Sequence, residues 1–193
     1  MIVRCIPLTT IEIRWHGRGG QGVVTANELL AGAALKEGKF IKAFPEFGPE
    51  RMGAPIRAFT RLSDKPIMVH SQVYTPDMVV VIDATLLKQV NVLDGLKDEG
   101  QVVANFPDGK EKLSQIIGRS KNVHAVNATK IAMEEIGRPT TNTAMLGAVV
   151  KSLNFVSLDS VLEELESKFS TKFNKEVVAK NLKAVKRAYE EVD

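Results

Sequence analysis

A strand, a glycine-dense turn and a helix follow one another near the start of this chain with no spare residues between them. That succession narrows the fold more than any other feature of the sequence. Thr10 to Trp15 (TIEIRW) alternates apolar and polar side chains, the period of a β-strand with two different faces. His16-Gly17-Arg18-Gly19-Gly20-Gln21-Gly22 follows as a turn, and Val23 to Glu37 then carries apolar residues at helical spacing, with Gly38 as a C-terminal stop. A strand that hands over to a helix through a tight turn is the opening of an α/β unit.

The rest of the chain extends that unit. Phe40 to Phe44 is predicted as a second strand. The loop after it holds Pro45, Pro49 and Pro55 and presents Glu46, Glu50 and Arg51 either to a partner or to one another as internal ion pairs. Ile56 to Leu62 alternates again and is expected as a strand near an edge, and Ser63-Asp64-Lys65-Pro66 has turn chemistry. Met78 to Ile82 is a continuous run of bulky apolar residues, the pattern of a central parallel strand covered on both faces. Leu86 to Leu96 is expected to be helical. Gln101 to Phe106 and Asn122 to Asn127 complete the strand set. Helices are predicted over Thr129 to Ile136, Asn142 to Leu153 (where Ala144, Gly147 and Ala148 permit close packing), Ser157 to Phe169, and Lys175 to Tyr189 with Asn174 as its N-cap. The sum is a single α/β domain over residues 1–193, a three-layer α/β/α sandwich around a mostly parallel sheet, with a core over 10–153 and a helical segment over 154–193.

Composition removes several classes of function. At 193 residues the chain should bury about 70% of its unfolded surface, enough for one substantial core. Its 26 basic and 23 acidic residues leave a net charge of +3. Lys and Arg form no stripe before the helix Lys175 to Arg187, where they alternate with Glu176, Val178 and Leu182 as a solvated face, so nucleic acid is not the expected partner. The lone Cys5 cannot form an internal disulfide, hold an iron–sulfur cluster or build a Cys-rich zinc site. His16, His70 and His124 stand far apart and are expected to be packed or surface residues rather than ligands, so no metal site is expected. Arg4 and Pro7 interrupt the first apolar run before a signal sequence could form, and Met78 to Ile82 is too short to cross a bilayer. A cytoplasmic protein without membrane contact is the expectation.

The turn Gly17-x-Gly19-x-x-Gly22 satisfies the dinucleotide fingerprint in the required place. Glycines allow positive φ and leave no Cβ between backbone N–H groups and a ligand, the helix start adds partial positive charge, and Arg18 adds a guanidinium. Arg18, Gly20 and Gln21 make the loop more polar and flexible than a plain nicotinamide turn. The acidic residue expected about 20 residues on is missing, because Phe44-Pro45 stands there and Glu46 lies beyond a proline. The turn therefore fits anion or nucleotide-like contact, or a tight crossover that touches a neighbouring chain. Asp83, at the carboxyl end of the central strand, is either a ligand group or the N-cap of the helix after it. No Ser–His–Asp arrangement, catalytic carboxylate pair or P-loop is present in the pattern.

IEIRWHGRGGQGVVTANELLA at Ile11–Ala31, FPEFGPERMGAPI at Phe44–Ile56, VVVIDATLL at Val79–Leu87 and TNTAMLGA at Thr141–Ala148 together resemble the gamma subunit, or gamma domain, of 2-oxoacid:ferredoxin oxidoreductases. The resemblance covers about Ile11 to Lys151. The Glu-Arg-x-Gly-Ala-Pro form leans towards the pyruvate or branched-chain enzymes, and Met52 stands where that pattern has arginine. What the resemblance implies is a subunit of an enzyme that decarboxylates a 2-oxoacid, chiefly pyruvate, with coenzyme A, giving acyl-CoA (acetyl-CoA from pyruvate) and CO2 and reducing ferredoxin. Thiamine diphosphate, Mg2+ and [4Fe–4S] clusters would sit on alpha, beta and ferredoxin-like delta subunits, because this chain has one cysteine and no Gly-Asp-Gly followed by Asn for a diphosphate site. By the same resemblance, this chain would shape the side from which coenzyme A enters and would not be catalytic alone. Its ligand or interface residues would be Gly17, Arg18, Gly19, Gly20, Gln21 and Gly22, with Glu46, Glu50 and Arg51. A free-standing NAD(P)-dependent dehydrogenase and a ligand-free assembly module are the competing expectations.

Overall fold

The computed structural model describes residues 10–46 and 52–193. Strand β1 (Thr10–Arg18) leads into α1 (Val23–Lys36), followed by β2 (Phe40–Pro45), β3 (Pro55–Ser63) and β4 (Met78–Val81). A 3-10 turn (Ala84–Lys88) precedes β5 (Gln101–Asn105), α2 (Gly109–Ile117) and β6 (Val123–Val126). The chain then continues through α3 (Ala128–Glu135), α4 (Thr141–Leu153), α5 (Leu158–Ser170) and α6 (Lys175–Glu191). The six strands lie in the order β2-β3-β1-β4-β5-β6. β1, β4, β5 and β6 are parallel neighbours, and β3 alone runs against the others. The expected α/β sandwich and mostly parallel sheet are therefore both present.

β4 occupies the middle because Met78, Val79, Val80 and Val81 are at most 1% exposed, and β-branched side chains fill both faces of such a strand. Met78, Val80 and Ile82 join the core under the large helical face; Val79 and Val81 join a smaller cluster on the other side. The helical face is two layers deep. α1 and α4 lie on the sheet, and α5 and α6 pack over them, so eleven of the 13 residues of α4 are buried. The small residues of α4 make this possible: a Cβ on Gly147 would lie 2.0 Å from the Val185 carbonyl oxygen of α6. Asn174 caps α6 as predicted, its side chain accepting the Val177 N–H at 3.0 Å.

The opposite face is thin and differs from expectation in two ways, the place of β3 and the helix after Leu86. The strand predicted near an edge, β3, is interior: β2 covers one side of it and β1 the other. The polar alternation of β1 does not face water. Arg14 is 2% exposed and His16 4%, beside the irregular chain from 89–96. The helix expected from Leu86 to Leu96 stops after its first 3-10 turn. Asn91 there accepts the Leu93 N–H, Gly95 takes φ +67, and the freed carbonyls of Val92 and Asp94 go to the Arg14 guanidinium. Arg61, also 2% exposed, does the same for the chain from 64–77, donating to the carbonyls of Ser71 (2.7 Å) and Gln72 (3.0 Å) while its Nε reaches Glu12. Helix α2 is an addition to the sequence-based expectation. Leu113, Ile116 and Ile117 give its nine residues helical spacing, but the run is short and buries one side chain, Leu113.

Candidate functional site

β1 runs on through Gly17 and Arg18, so the turn proper is Gly19 to Gly22. Gly17 is a strand residue paired with Ile56, and a Cβ there would lie 2.4 Å from Val23 Cγ2, so its glycine lets the first turn of α1 pack against the strand. Gly22 is the N-cap of α1 with φ 73, in the left-handed region that L-residues rarely enter. Its carbonyl accepts a hydrogen bond from Asn142 Nδ2 at 3.3 Å, which fastens the turn to α4. The Gly19 N–H donates to the Ala54 carbonyl (2.9 Å) and the Gly53 N–H returns to the Gly19 carbonyl (3.0 Å), joining the turn to the end of the proline loop. Among the described residues, the amides of Gly20, Gly22 and Val23 have no hydrogen-bond partner.

Arg18 points inward rather than out. Its Nε donates to Asp83 Oδ2 (3.1 Å), Nη1 to the Gly53 carbonyl (3.1 Å), and Nη2 to Thr85 Oγ1 and Gln89 Oε1 (2.8 Å each). Gln21 completes the lattice: its Oε1 accepts the Arg18 N–H at 2.8 Å and its Nε2 donates to Asp83 Oδ2 at 2.7 Å. Asp83 takes both roles that the sequence left open. Its Oδ1 caps the 3-10 turn by accepting the Thr85 N–H (2.9 Å) and hydroxyl (2.6 Å), while Oδ2 faces Arg18 and Gln21 at the carboxyl edge of the sheet. Burial works to raise the pKa of Asp83, but the hydrogen bonds of Thr85 and Gln21 and the Arg18 charge outweigh it and hold the carboxyl below its ordinary range.

This network sits between the carboxyl ends of β1 and β4, where the chain turns one way after β1 and the other after β4. That is the crevice in which an open α/β sheet receives a dinucleotide diphosphate. Here the protein's own guanidinium and carboxylate fill it. Beside the network lies a cleft of about 380 Å³, with Gln21, Asp83 and Thr85 on one wall and Asn105, Asn127 and Thr129 on the other. Among the described residues, amides, hydroxyls and the Asp83 carboxylate line it and no cation does, a lining that does not suit a polyphosphate.

The other sequence candidates divide. Glu46 is committed to an internal pair: Arg57 donates both Nε and Nη2 to its carboxylate, the latter at 2.6 Å, and Gln72 donates to it at 3.3 Å. The internal ion pair of Glu46 is thus made with Arg57 of β3. Glu50, Arg51 and Cys5 lie outside the described residues. Among the described residues, no group of His, Cys, Asp or Glu could hold a metal ion. No described helix is long and apolar enough to cross a membrane.

Two contributors escaped the sequence reading. His16 lines a second cleft of about 540 Å³ with Glu46, Arg57 and Asp94, and its Nε2 accepts Arg14 Nε at 3.1 Å. Burial, then the charges of Arg14 and Arg57, push its pKa down to about 3, so the imidazole is neutral. Its place on β1, two residues from Arg14 and two from Arg18, was the available signal. Gln89 carried none.

Against known proteins, the profile of the pyruvate ferredoxin/flavodoxin oxidoreductase family matches residues 12–191. The pyruvate/ketoisovalerate oxidoreductases common subunit gamma of Pyrococcus furiosus is 49% identical over 184 residues, covering 95% of this chain and 97% of that one. The pyruvate synthase subunit PorC of Methanothermobacter thermautotrophicus is 48% identical over 183 residues, covering 95% and 96%. Among solved structures, the pyruvate oxidoreductase subunit PORC of Thermotoga maritima superposes with a TM-score of 0.85 at 42% identity, over 95% of this chain and 97% of that one.

Proposed function

The chain belongs to the pyruvate ferredoxin/flavodoxin oxidoreductase family, as a gamma subunit of the pyruvate synthase kind, and we propose that within such an enzyme it shapes the side from which coenzyme A enters. The redox chemistry then belongs to other chains. In this proposal alpha, beta and delta subunits carry thiamine diphosphate, Mg2+ and the [4Fe–4S] clusters, and ferredoxin takes the electrons. Among the described residues of this chain no donor set fits a metal ion. The relative from Pyrococcus furiosus is named as common to pyruvate and ketoisovalerate oxidoreductases. A shared gamma subunit cannot be what chooses between two 2-oxoacids, which supports placing that choice on a different chain.

The observation that carries the proposal is the way the glycine turn is built. Four of the five N–H bonds of Arg18 are spent on Asp83, Gly53, Thr85 and Gln89. Arg18 is therefore a positioning residue that holds the Gly19–Gly22 turn and the Gly53-Ala54 chain end in register. What remains for a visitor is the rigid backbone of the turn, with the amides of Gly20, Gly22 and Val23 at the start of a 14-residue helix. Partial positive charge on a preorganised backbone suits a phosphate of coenzyme A or a partner carboxylate without any movement of the fold.

The test is the coenzyme A dependence of an assembled complex containing Arg18→Ala. Loss of the guanidinium frees the Gly53 carbonyl and the Asp83 carboxylate together, and the KM for coenzyme A is expected to rise about tenfold, the equivalent of ~1.4 kcal/mol, with the 2-oxoacid KM unchanged. An unchanged coenzyme A KM in an intact assembly refutes the placement. The dehydrogenase alternative predicts saturable NADH binding by the isolated chain, which the filled crevice between β1 and β4 argues against.

A further inference from the structure

On the helical face, a cleft of about 590 Å³ opens between the α3–α4 connection and the α5–α6 turn. Its apolar surface comes from Ile136, Phe169, Phe173 and Val177, and the two rings pack with centroids 5.2 Å apart. Phe173 is 48% exposed, which leaves its ring facing the opening. Three cations, Arg138, Lys172 and Lys180, line the cleft with these rings, and among the described residues no carboxylate does. Lys180 is paired with Glu176 at 2.6 Å, whereas Arg138 and Lys172 form no ion pair among the described residues. An apolar floor flanked by two unpaired cations, Arg138 and Lys172, is complementary to an apolar anchor flanked by acids.

We infer that this cleft receives an acidic segment with an apolar anchor residue from a partner subunit. The anchor covers the Phe169–Phe173 pair, and its flanking carboxylates meet Arg138 and Lys172. The inference rests on the gamma-subunit reading, because it needs a standing partner. A small phosphate ligand fits less well: it would use the cations and leave the aromatic floor in water. Asn142, which holds the Gly22 carbonyl, also borders the cleft. A segment seated there would therefore lie against the element that fixes the glycine turn, on the same edge of the sheet.

The test uses the remaining subunits of the native oxidoreductase, separated from this chain, and titrates them with the fluorescently labelled chain. Wild type is compared with Arg138→Glu/Lys172→Glu and with Lys65→Glu/Lys110→Glu, which changes net charge equally at exposed sites away from the cleft. Circular dichroism checks that each variant is folded. At low salt the cleft variant is expected to bind at least tenfold more weakly, with the gap narrowing at 0.5 M salt, where screening shortens to a few ångströms. Phe173→Ser is expected to weaken binding with little salt dependence. Equal affinities for wild type and the cleft variant overturn the docking site and leave the gamma-subunit reading standing. Equal losses in both charge variants assign the effect to net charge and also overturn it. If ATP, used as a phosphate probe, binds saturably through Arg138 and Lys172 while partner affinity is untouched, the cations serve a small ligand and the inference fails. Failure of the wild-type chain to bind at all refutes the gamma-subunit reading itself.

Discussion

Gly20 and Gly22 both hold positive φ, +92 and +73, yet alanine at the two sites should have different consequences, and the difference measures how the turn is fixed. Moving an L-residue into that region costs about 1–2 kcal/mol at either position. At Gly20 nothing is added, since the nearest heavy atom to a new Cβ is Met52 Cγ at 3.8 Å. At Gly22 the Cβ would fall 2.3 Å from Asn142 Nδ2 and 2.8 Å from its Cγ. Asn142 is 5% exposed on the enclosed helix α4, so it has little room to retreat, and overpacking of this kind adds about 1–3 kcal/mol. Gly20→Ala should therefore lower stability by about 1–2 kcal/mol and Gly22→Ala by about 2–5 kcal/mol. At roughly 2–4 °C per kcal/mol for a chain of this size, that is a fall in Tm of ~2–8 °C against ~4–20 °C. Urea unfolding of the isolated subunit gives both values. The clash is isolated by placing Gly22→Ala in an Asn142→Ala background, where its cost should shrink to that of Gly20→Ala. Equal losses for the two single variants, or no relief in the double variant, would refute the assignment of Asn142 as the clamp.

Three further outcomes follow from the same geometry. The imidazole of His16 titrates near 3 in the folded chain and near 6.5 when unfolded, so the unfolded state takes up a proton first; stability should fall as pH drops from about 6.5 towards 3, and His16→Gln should flatten that fall in urea midpoints measured across the range. Gly147→Ala drives a Cβ against backbone atoms of α6, 2.0 Å from the Val185 oxygen and 2.8 Å from the Tyr189 nitrogen, so after a gain of ~1 kcal/mol in helix propensity a net loss of about 2 kcal/mol is expected by thermal melting; a higher Tm would show that the helices separate freely. Arg61→Leu strips donors from the Ser71 and Gln72 carbonyls and leaves Glu12 without its partner, so a loss of about 3 kcal/mol and faster amide exchange confined to 64–77 should appear; unchanged exchange there would show that the segment is held by something else.

What could be read from the sequence was what depends on neighbours along the chain. The strand, turn and helix from Thr10 to Lys36 were legible because period, glycines and stop signal sit within one short stretch, and β4 because four bulky apolar residues in a row leave few alternatives. The interior position of β3 was not legible, since its alternation is the same whether or not β2 lies beyond it. Nor was the end of the helix after Leu86 legible, because the group that stabilises the irregular chain, Arg14, lies 78 residues away from Val92. In the site, the glycines and Asp83 could be found from motif and sheet-edge position. The inward aim of Arg18 could not, because it depends on Gly53, Thr85 and Gln89 arriving from other elements.

Arg14 and Arg61 grip carbonyl oxygens, a group that every residue owns whatever its side chain. The stretches they hold can thus exchange nearly all their outward side chains and keep their course over the sheet. Met68, Val69 and Tyr74, more than half exposed on one of them, are free of any duty to the interior. Two guanidiniums have uncoupled the path of this surface from its lettering, so mutation can rewrite what neighbouring molecules meet there while the scaffold beneath stays as it is.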